Sequence, residues 1–273
     1  MNSHSNMHST VHSLSGGMPQ FFLGLFFILA LVFYILAVVH SNKRYQPWPV
    51  KRTILWLFGV LFAAASLLGP IAERAHTNFT AHMVGHLLLG MLAPLLMALA
   101  SPMALLLRTL PVAKARNLTR LLKSWPSRMY THPVIASLLN IGGLWLLYTT
   151  PLYSLMHESM WIYVLIHFHI FVAGYLFTVS MIYIDPVSHR TPFLYRAIVL
   201  TIALAGHGIL SKYIYAHPPV GVPQYQAELG SMIMYYGGDV IDCAIIFMLC
   251  LQWYRSTRPR ATVSANSTAI KFN

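Results

Sequence analysis

Apolar runs about twenty residues long return seven times along the 273-residue chain, and no other feature constrains its fold as much. At about 1.5 Å of rise per residue, a helix of that length crosses the hydrocarbon core of a bilayer. The runs lie near Phe21–Val39, Thr53–Gly69, Ala81–Ser101, Val134–Thr150, Trp161–Tyr183, Phe193–Tyr215 and Met232–Trp253. Turn signals separate them, among them Gln46-Pro47-Trp48-Pro49, Asp185-Pro186 and the stretch from His217 to Pro223, where Pro and Gly cannot carry a helix onward. Lipid offers no partners to backbone N–H and C=O groups, so a spanning segment must satisfy them internally. The expected fold class is therefore all-α: a polytopic membrane protein, a seven-transmembrane-helix bundle. No internal repeat suggests a transporter built from two related halves.

The charges fix the partner class and the orientation. The chain is 57% hydrophobic and 9% charged, with 18 Lys and Arg against 6 Asp and Glu. In a soluble protein that excess would suggest a polyanionic partner. Here the cations gather in short segments between apolar runs, which points to a lipid bilayer and excludes nucleic acid. Lys43, Arg44, Lys51, Arg52, Arg108, Lys114, Arg116, Arg120, Lys123, Arg128, Arg190, Arg196, Arg255, Arg258, Arg260 and Lys271 follow the first, third, fifth and seventh runs. Only Arg74 and Lys212 fall on the opposite side. The positive-inside rule then sets the N-terminus out and the C-terminus in.

The expected organisation is an extracytoplasmic His/Met-containing tail over 1–20, a membrane domain over 21–253 and a cytoplasmic basic tail over 254–273. The first twenty residues hold no Lys or Arg, so the first run is read as a retained helix rather than a cleaved signal. The longest loop, Met103 to Pro133, is expected to carry a short basic helix along the inner leaflet. Cys243 and Cys250 stand seven apart on one run and share a helix face, which excludes a mutual disulfide.

Ionisable side chains inside a membrane are costly, so each one marks a candidate site. His82 and His86 open the third run at i and i+4, with His86 about 6 Å deeper on the same face. His157 and Glu158 precede the fifth run, which carries His167 and His169 on nearly opposite sides. On the sixth, His207 lies about 12 Å from the outer end near Tyr215. The seventh holds Asp239 and Asp242 at comparable depth, near Met234 and Cys243. His82, His86, His167 or His169, His207 and Asp239 are thus expected to converge in the outer half of one bundle.

Imidazole, thioether and thiolate together suit copper, and Cu(I) where sulfur enters the first shell. The amino tail adds His4, Met7, His8 and His12, either a metal-capturing arm or a solvated tail that happens to contain them. Each histidine also has a plainer use. A lone membrane histidine often bonds one helix to another, which for His169 or His207 alone is as good an account as ligation. Asp239 can orient a histidine rather than bind metal. His40, His132 and His189 sit beside basic loops, where interface anchoring suffices. Most of the methionines and aromatics are packing and interfacial belts.

Three segments carry a resemblance: AHMVGHLLLGMLAPLLMALASP, LLYTTPLYSLMHESMWIYVLIHFHIFVAGYLF and IDPVSHR. They resemble the seven-span CtaG family of cytochrome c oxidase assembly factors from about Ala81 to Trp253. The matching elements are His82-Met83-x-x-His86, Ala93-Pro94, Ser101-Pro102, Tyr148-Thr149-x-Pro151, His167-x-His169, Gly174 and Asp185-Pro186, with His207 and Gly238-Asp239 fitting less sharply. The resemblance implies a non-enzymatic factor of the bacterial plasma (inner) membrane that supplies or holds copper for a haem-copper oxidase subunit. Its expected metal residues are His82, His86, His167, His169, His207 and Asp239. The sequence is compatible with both a monomer and a homo-oligomer. The chain has no Cys-x-Cys or Cys-x-x-Cys pair, so copper is inferred here from histidine.

Two other classes compete. Facing histidines can hold haem iron axially, as in a membrane cytochrome. The same residues can line the path of a copper or proton transporter, although the cytoplasmic half lacks a matching ladder of ligands. A retinal-type receptor would need a lysine on the seventh run for a Schiff base, and there is none.

Overall fold

The computed structural model describes residues 5–186 and 190–258, with side chains from 24 onward. His189, the basic tail from 259, and the side chains of the amino-terminal His/Met tract lie outside the described residues. Within them the chain is helix and turn, and no strand occurs.

In chain order the helices are α1 (Ser5–Arg44), α2 (Val50–Leu67), α3 (Pro70–Ala75), α4 (Phe79–Leu99), α5 (Pro102–Thr109), α6 (Val112–Leu122), α7 (Trp125–Tyr130), α8 (Pro133–Thr149), α9 (Leu152–Glu158), α10 (Met160–Met181), α11 (Phe193–Ala216) and α12 (Gln224–Thr257). Six stretches are long and apolar enough to span a membrane: Gly24–Arg44 within α1, then α2, α4, α10, α11 and α12. The fourth predicted run folds as α8, and α9 continues beyond it at a bend of 80°; that pair taken as one span makes the seventh. Pro151 marks the bend, and the Thr149 and Thr150 hydroxyls cap the preceding turn by donating to Trp145 O and Leu146 O. Exposed Phe26, Phe33, Trp161, Phe168 and Phe247 give the bundle the apolar outer surface that lipid requires.

α4 is the central helix. Two thirds (67%) of its most apolar window is buried, against 11% for the first span. It packs on α2, α3, α10 and α12. Asn78 starts it by accepting Ala81 N–H at 3.0 Å, and Gln226 on α12 accepts Phe79 N–H at 2.8 Å, which fixes the first turn of α4 against its neighbour. Below His86 the helix widens into a π turn over Leu88–Leu92. Pro94 then has no N–H to return to Gly90 O. Gly174 of α10 occupies that place so closely that a Cβ on it would lie 2.0 Å from Gly90 O. The α4 and α10 backbones therefore touch one turn below His86, which only a glycine permits.

The opposite end is basic. Ser101 takes a left-handed conformation (φ 55°) and turns the chain into α5, whose free Met103 and Ala104 N–H groups donate to the Asp185 carboxylate at 3.2 and 2.8 Å. Burial raises the Asp185 pKa, and these two N–H groups act against that shift. The helix expected in the long loop is α6, which buries none of its side chains and carries Lys114, Arg116 and Arg120. Arg196, counted above as a loop charge, is instead buried at the start of α11, where it donates to Met181 O and lies over the Tyr183 ring.

Candidate functional site

Five histidines collect at the end of the bundle that carries α3 and α9, and a sixth, His207, lies below them. His76 follows α3 and His157 closes α9; both are exposed, with ring centroids 6.3 Å apart. Burial, and then the nearby His157, hold the His76 pKa below its usual value. His76 stacks on Tyr163 at 5.4 Å, and Tyr163 on His167 at 4.0 Å. His167 meets His82 at 6.3 Å. One turn on from His82 comes His86, whose ring lies 6.4 Å from that of His207 on α11. The series runs from exposed to 4% exposed at His82, His86 and His207.

The hydrogen bonds sort these rings by role. His157 Nδ1 and His167 Nδ1 each reach the carbonyl four residues back, Tyr153 O at 2.9 Å and Tyr163 O at 2.8 Å. A carbonyl only accepts, so each Nδ1 is the N–H and each Nε2 keeps a free lone pair. Metal-ligating histidines are oriented by such a bond through the second nitrogen. His82 Nε2 shares a hydrogen bond of 3.1 Å with the Tyr148 hydroxyl. His86 differs from all of these: Nδ1 and Nε2 are both buried and without a partner, as is His207 Nε2. Leaving such groups unpaired costs about 1–3 kcal/mol each. The other buried unpartnered atoms, Ser41 Oγ, Ser101 Oγ and Arg196 Nε, belong to separate elements, whereas these three meet at one place and mark it as built for something other than packing.

Glycines make the room. A Cβ on Gly90 would press on the His86 ring at 3.3 Å, and one on Gly238 would strike His207 at 2.7 Å. Beside His207 lies a cavity of about 20 Å³, lined also by Asn140, Thr178 and Asp242. Above His82 a smaller one of about 10 Å³ is lined by His76, His157, His167 and Met156.

Of the residues expected from sequence, His82, His86, His167 and His207 are thus brought together. His169 is not. It faces α8, where its Nε2 donates to Leu139 O at 3.1 Å, a carbonyl of the π turn over Leu138–Gly142. A Cβ on Gly143 would fall 2.5 Å from that nitrogen, so the glycine admits the ring. Asp239 is exposed, and the buried carboxylate beside the cavity is Asp242, three residues on. Sequence reasoning passed over His76, and it had Tyr148 only as part of a motif. Among the described residues, no three His, Cys, Asp or Glu side chains are placed to hold one metal ion together. The pairs described above are what the site offers.

Residues 32–256 match the family described as cytochrome c oxidase caa3 assembly factor (Caa3_CtaG). Curated relatives include uncharacterised proteins of Mycobacterium bovis and Mycobacterium tuberculosis, each 27% identical over 252 residues, covering 85% of this chain and 38% of theirs. A third, from Mycobacterium leprae, is 29% identical over 181 residues, covering 64% of this chain and 28% of its own. The chain therefore spans under two fifths of the length of these relatives. No solved structure matches it significantly.

Proposed function

The chain belongs to the cytochrome c oxidase caa3 assembly factor family, and on that premise we propose that it carries copper, as Cu(I), and passes it to the catalytic subunit of a haem-copper oxidase. The carrying observation is the pair His86 and His207: buried imidazoles 6.4 Å apart by centroid, with three ring nitrogens unpartnered. Cu(I) accepts two-coordinate, near-linear ligation by imidazoles, so a pair suffices where Zn(II) would require four ligands. Two metal–nitrogen bonds of about 2 Å plus roughly 1 Å from each nitrogen to its ring centre span about 6 Å, close to the separation found.

In this reading copper is cargo and the chain is a carrier rather than a catalyst. His82 and His167 stand above the pair on the way in, and His169 and Asp239 take no part. The histidine end faces outward and the basic end inward, in the plasma membrane of a bacterium, as the distribution of Lys and Arg supports. A haem reading fits the packing less well, because the cavity beside His207, at about 20 Å³, has no space for a porphyrin. The test pairs two measurements on His86→Ala/His207→Ala: Cu(I) stoichiometry of the purified protein, and copper content of the oxidase matured in cells carrying the variant. Both are expected to fall. Full copper in both would overturn the proposal.

A further inference from the structure

We infer a second copper site, above the first: a loading site made by His76, His157 and Met156 at the mouth of the bundle. It rests on the copper reading only for the identity of the metal. Its geometry is separate, since the cavity it lines lies above His82, whereas the cavity beside His207 lies below.

Four observations carry it. First, His76 and His157 are the exposed members of the histidine series, with rings 6.3 Å apart, nearly the separation of His86 and His207. Second, they come from two elements that both cap this end of the bundle: α3 delivers His76 and α9 delivers His157. Third, His157 Nδ1–H is committed to Tyr153 O, which leaves Nε2 as a lone-pair donor. His167, on the same cavity, is preset in the same way by Tyr163 O. Fourth, the buried thioether of Met156, 1% exposed, lines this cavity. Imidazole with thioether is the donor set that selects Cu(I) over harder cations.

The cavity, about 10 Å³, holds at most about one water. It admits a bare ion and excludes a hydrated ion, a chelate or an organic ligand. An ion captured by His76 and His157 therefore sheds its water or its carrier at the surface. His167 is the next free lone pair, and His82 stands one ring separation further in, at 6.3 Å. Each step exchanges one neutral donor for another, with no change in oxidation state and no net proton movement.

The experiment is Cu(I) titration under reductant of untagged, full-length protein in detergent, against a chromophoric Cu(I) chelator, in three forms. These are the wild type, His86→Ala/His207→Ala, and that variant with His76→Gln and His157→Gln added. Glutamine keeps a polar side chain at two exposed positions, and circular dichroism confirms that each form is folded. The expected counts are two ions, one and none, with the single ion of the second form showing a sulfur scatterer in copper X-ray absorption. Counts of one, one and none would support the loading site and overturn the deeper one. Counts of one, none and none would overturn the loading site and leave the deeper one standing. A count that does not fall when the glutamine substitutions are added overturns the loading site, whereas an ion common to all three forms belongs to neither site, as at the His4, Met7, His8 and His12 tract; a wild type that binds no copper overturns both.

Discussion

Replacing Gly174 with alanine tests the contact on which the histidine geometry depends. The new Cβ would lie 2.0 Å from Gly90 O and 3.0 Å from Gly90 C, both backbone atoms that no rotamer change can move. Ordinary contact begins at 3.4 Å, so α4 and α10 must part by about 1.4 Å (3.4 − 2.0) at this level. Overpacking a filled interior costs typically about 1–3 kcal/mol, and a shift shared by two helix backbones belongs at the upper end. Gly142 provides the control, because a Cβ there meets nothing within 4 Å. Gly142→Ala should gain about 0.4–1 kcal/mol from the stiffer unfolded chain. The two variants make the same chemical change and should differ by about 2–4 kcal/mol. Thermal unfolding of both in one detergent reads this difference as a melting temperature several degrees lower for Gly174→Ala. Equal melting temperatures would refute the close approach of α4 and α10. The parting should also loosen the His82–His167 pair, which spans the same two helices.

Three further substitutions separate structure from ligation. His86→Leu removes two buried, unpaired nitrogens, so the metal-free protein should melt higher by about 1–3 kcal/mol while binding less copper; a lower melting temperature would make His86 a structural residue. His169→Ala removes one of two donors to Leu139 O, which keeps the Gly143 N–H, and should destabilise by about 1 kcal/mol with copper stoichiometry unchanged; lost copper would return His169 to the site. Asp185→Asn tests the basic end through pH. The folded pKa of Asp185 is raised, so the folded state binds the proton more tightly than the unfolded one. Its contribution to stability is greatest below the unfolded value, near 3.8, falls as pH rises through the folded value and is flat above it. The asparagine variant should lack that acid-side slope in denaturation measured across pH, and an unchanged slope would show that Asp185 is not its source.

The apolar runs made the spans legible, because run length and bilayer thickness are directly linked. The fourth ended where expected, but the chain did not leave the bundle there: Pro151 and two threonine caps turn it into α9 just beyond the run, which carries His157 to the mouth. Helical periodicity placed His82 above His86 on one face. It also set His167 and His169 on opposite sides without saying which faced inward. That choice was made by α8, whose π turn offers Leu139 O and whose Gly143 admits the His169 ring, and a π turn leaves no mark in residue periodicity. Asp239 and Asp242 posed the same problem, since three residues on a helix share a face only loosely and the packing of α11 decided between them. Gly174, Ala93-Pro94 and Asp185-Pro186 stood out as motif residues, but their purpose is visible only in three dimensions, where Pro94 releases the carbonyl that Gly174 meets and Asp185 caps α5. His76 lies between spans, where a lone exposed histidine carries no signal until the fold sets it beside His157.

Copper X-ray absorption on the Cu(I)-loaded protein, beside His86→Ala/His207→Ala, tests the central claim most directly. The account predicts low-coordinate copper with imidazole nitrogens in the wild type, averaged with the sulfur-bearing loading site, and in the folded variant loss of the nitrogen contribution of the deeper site, so that the sulfur share per copper rises. An unchanged spectrum in the variant, or a wild-type protein that holds no copper, would contradict it.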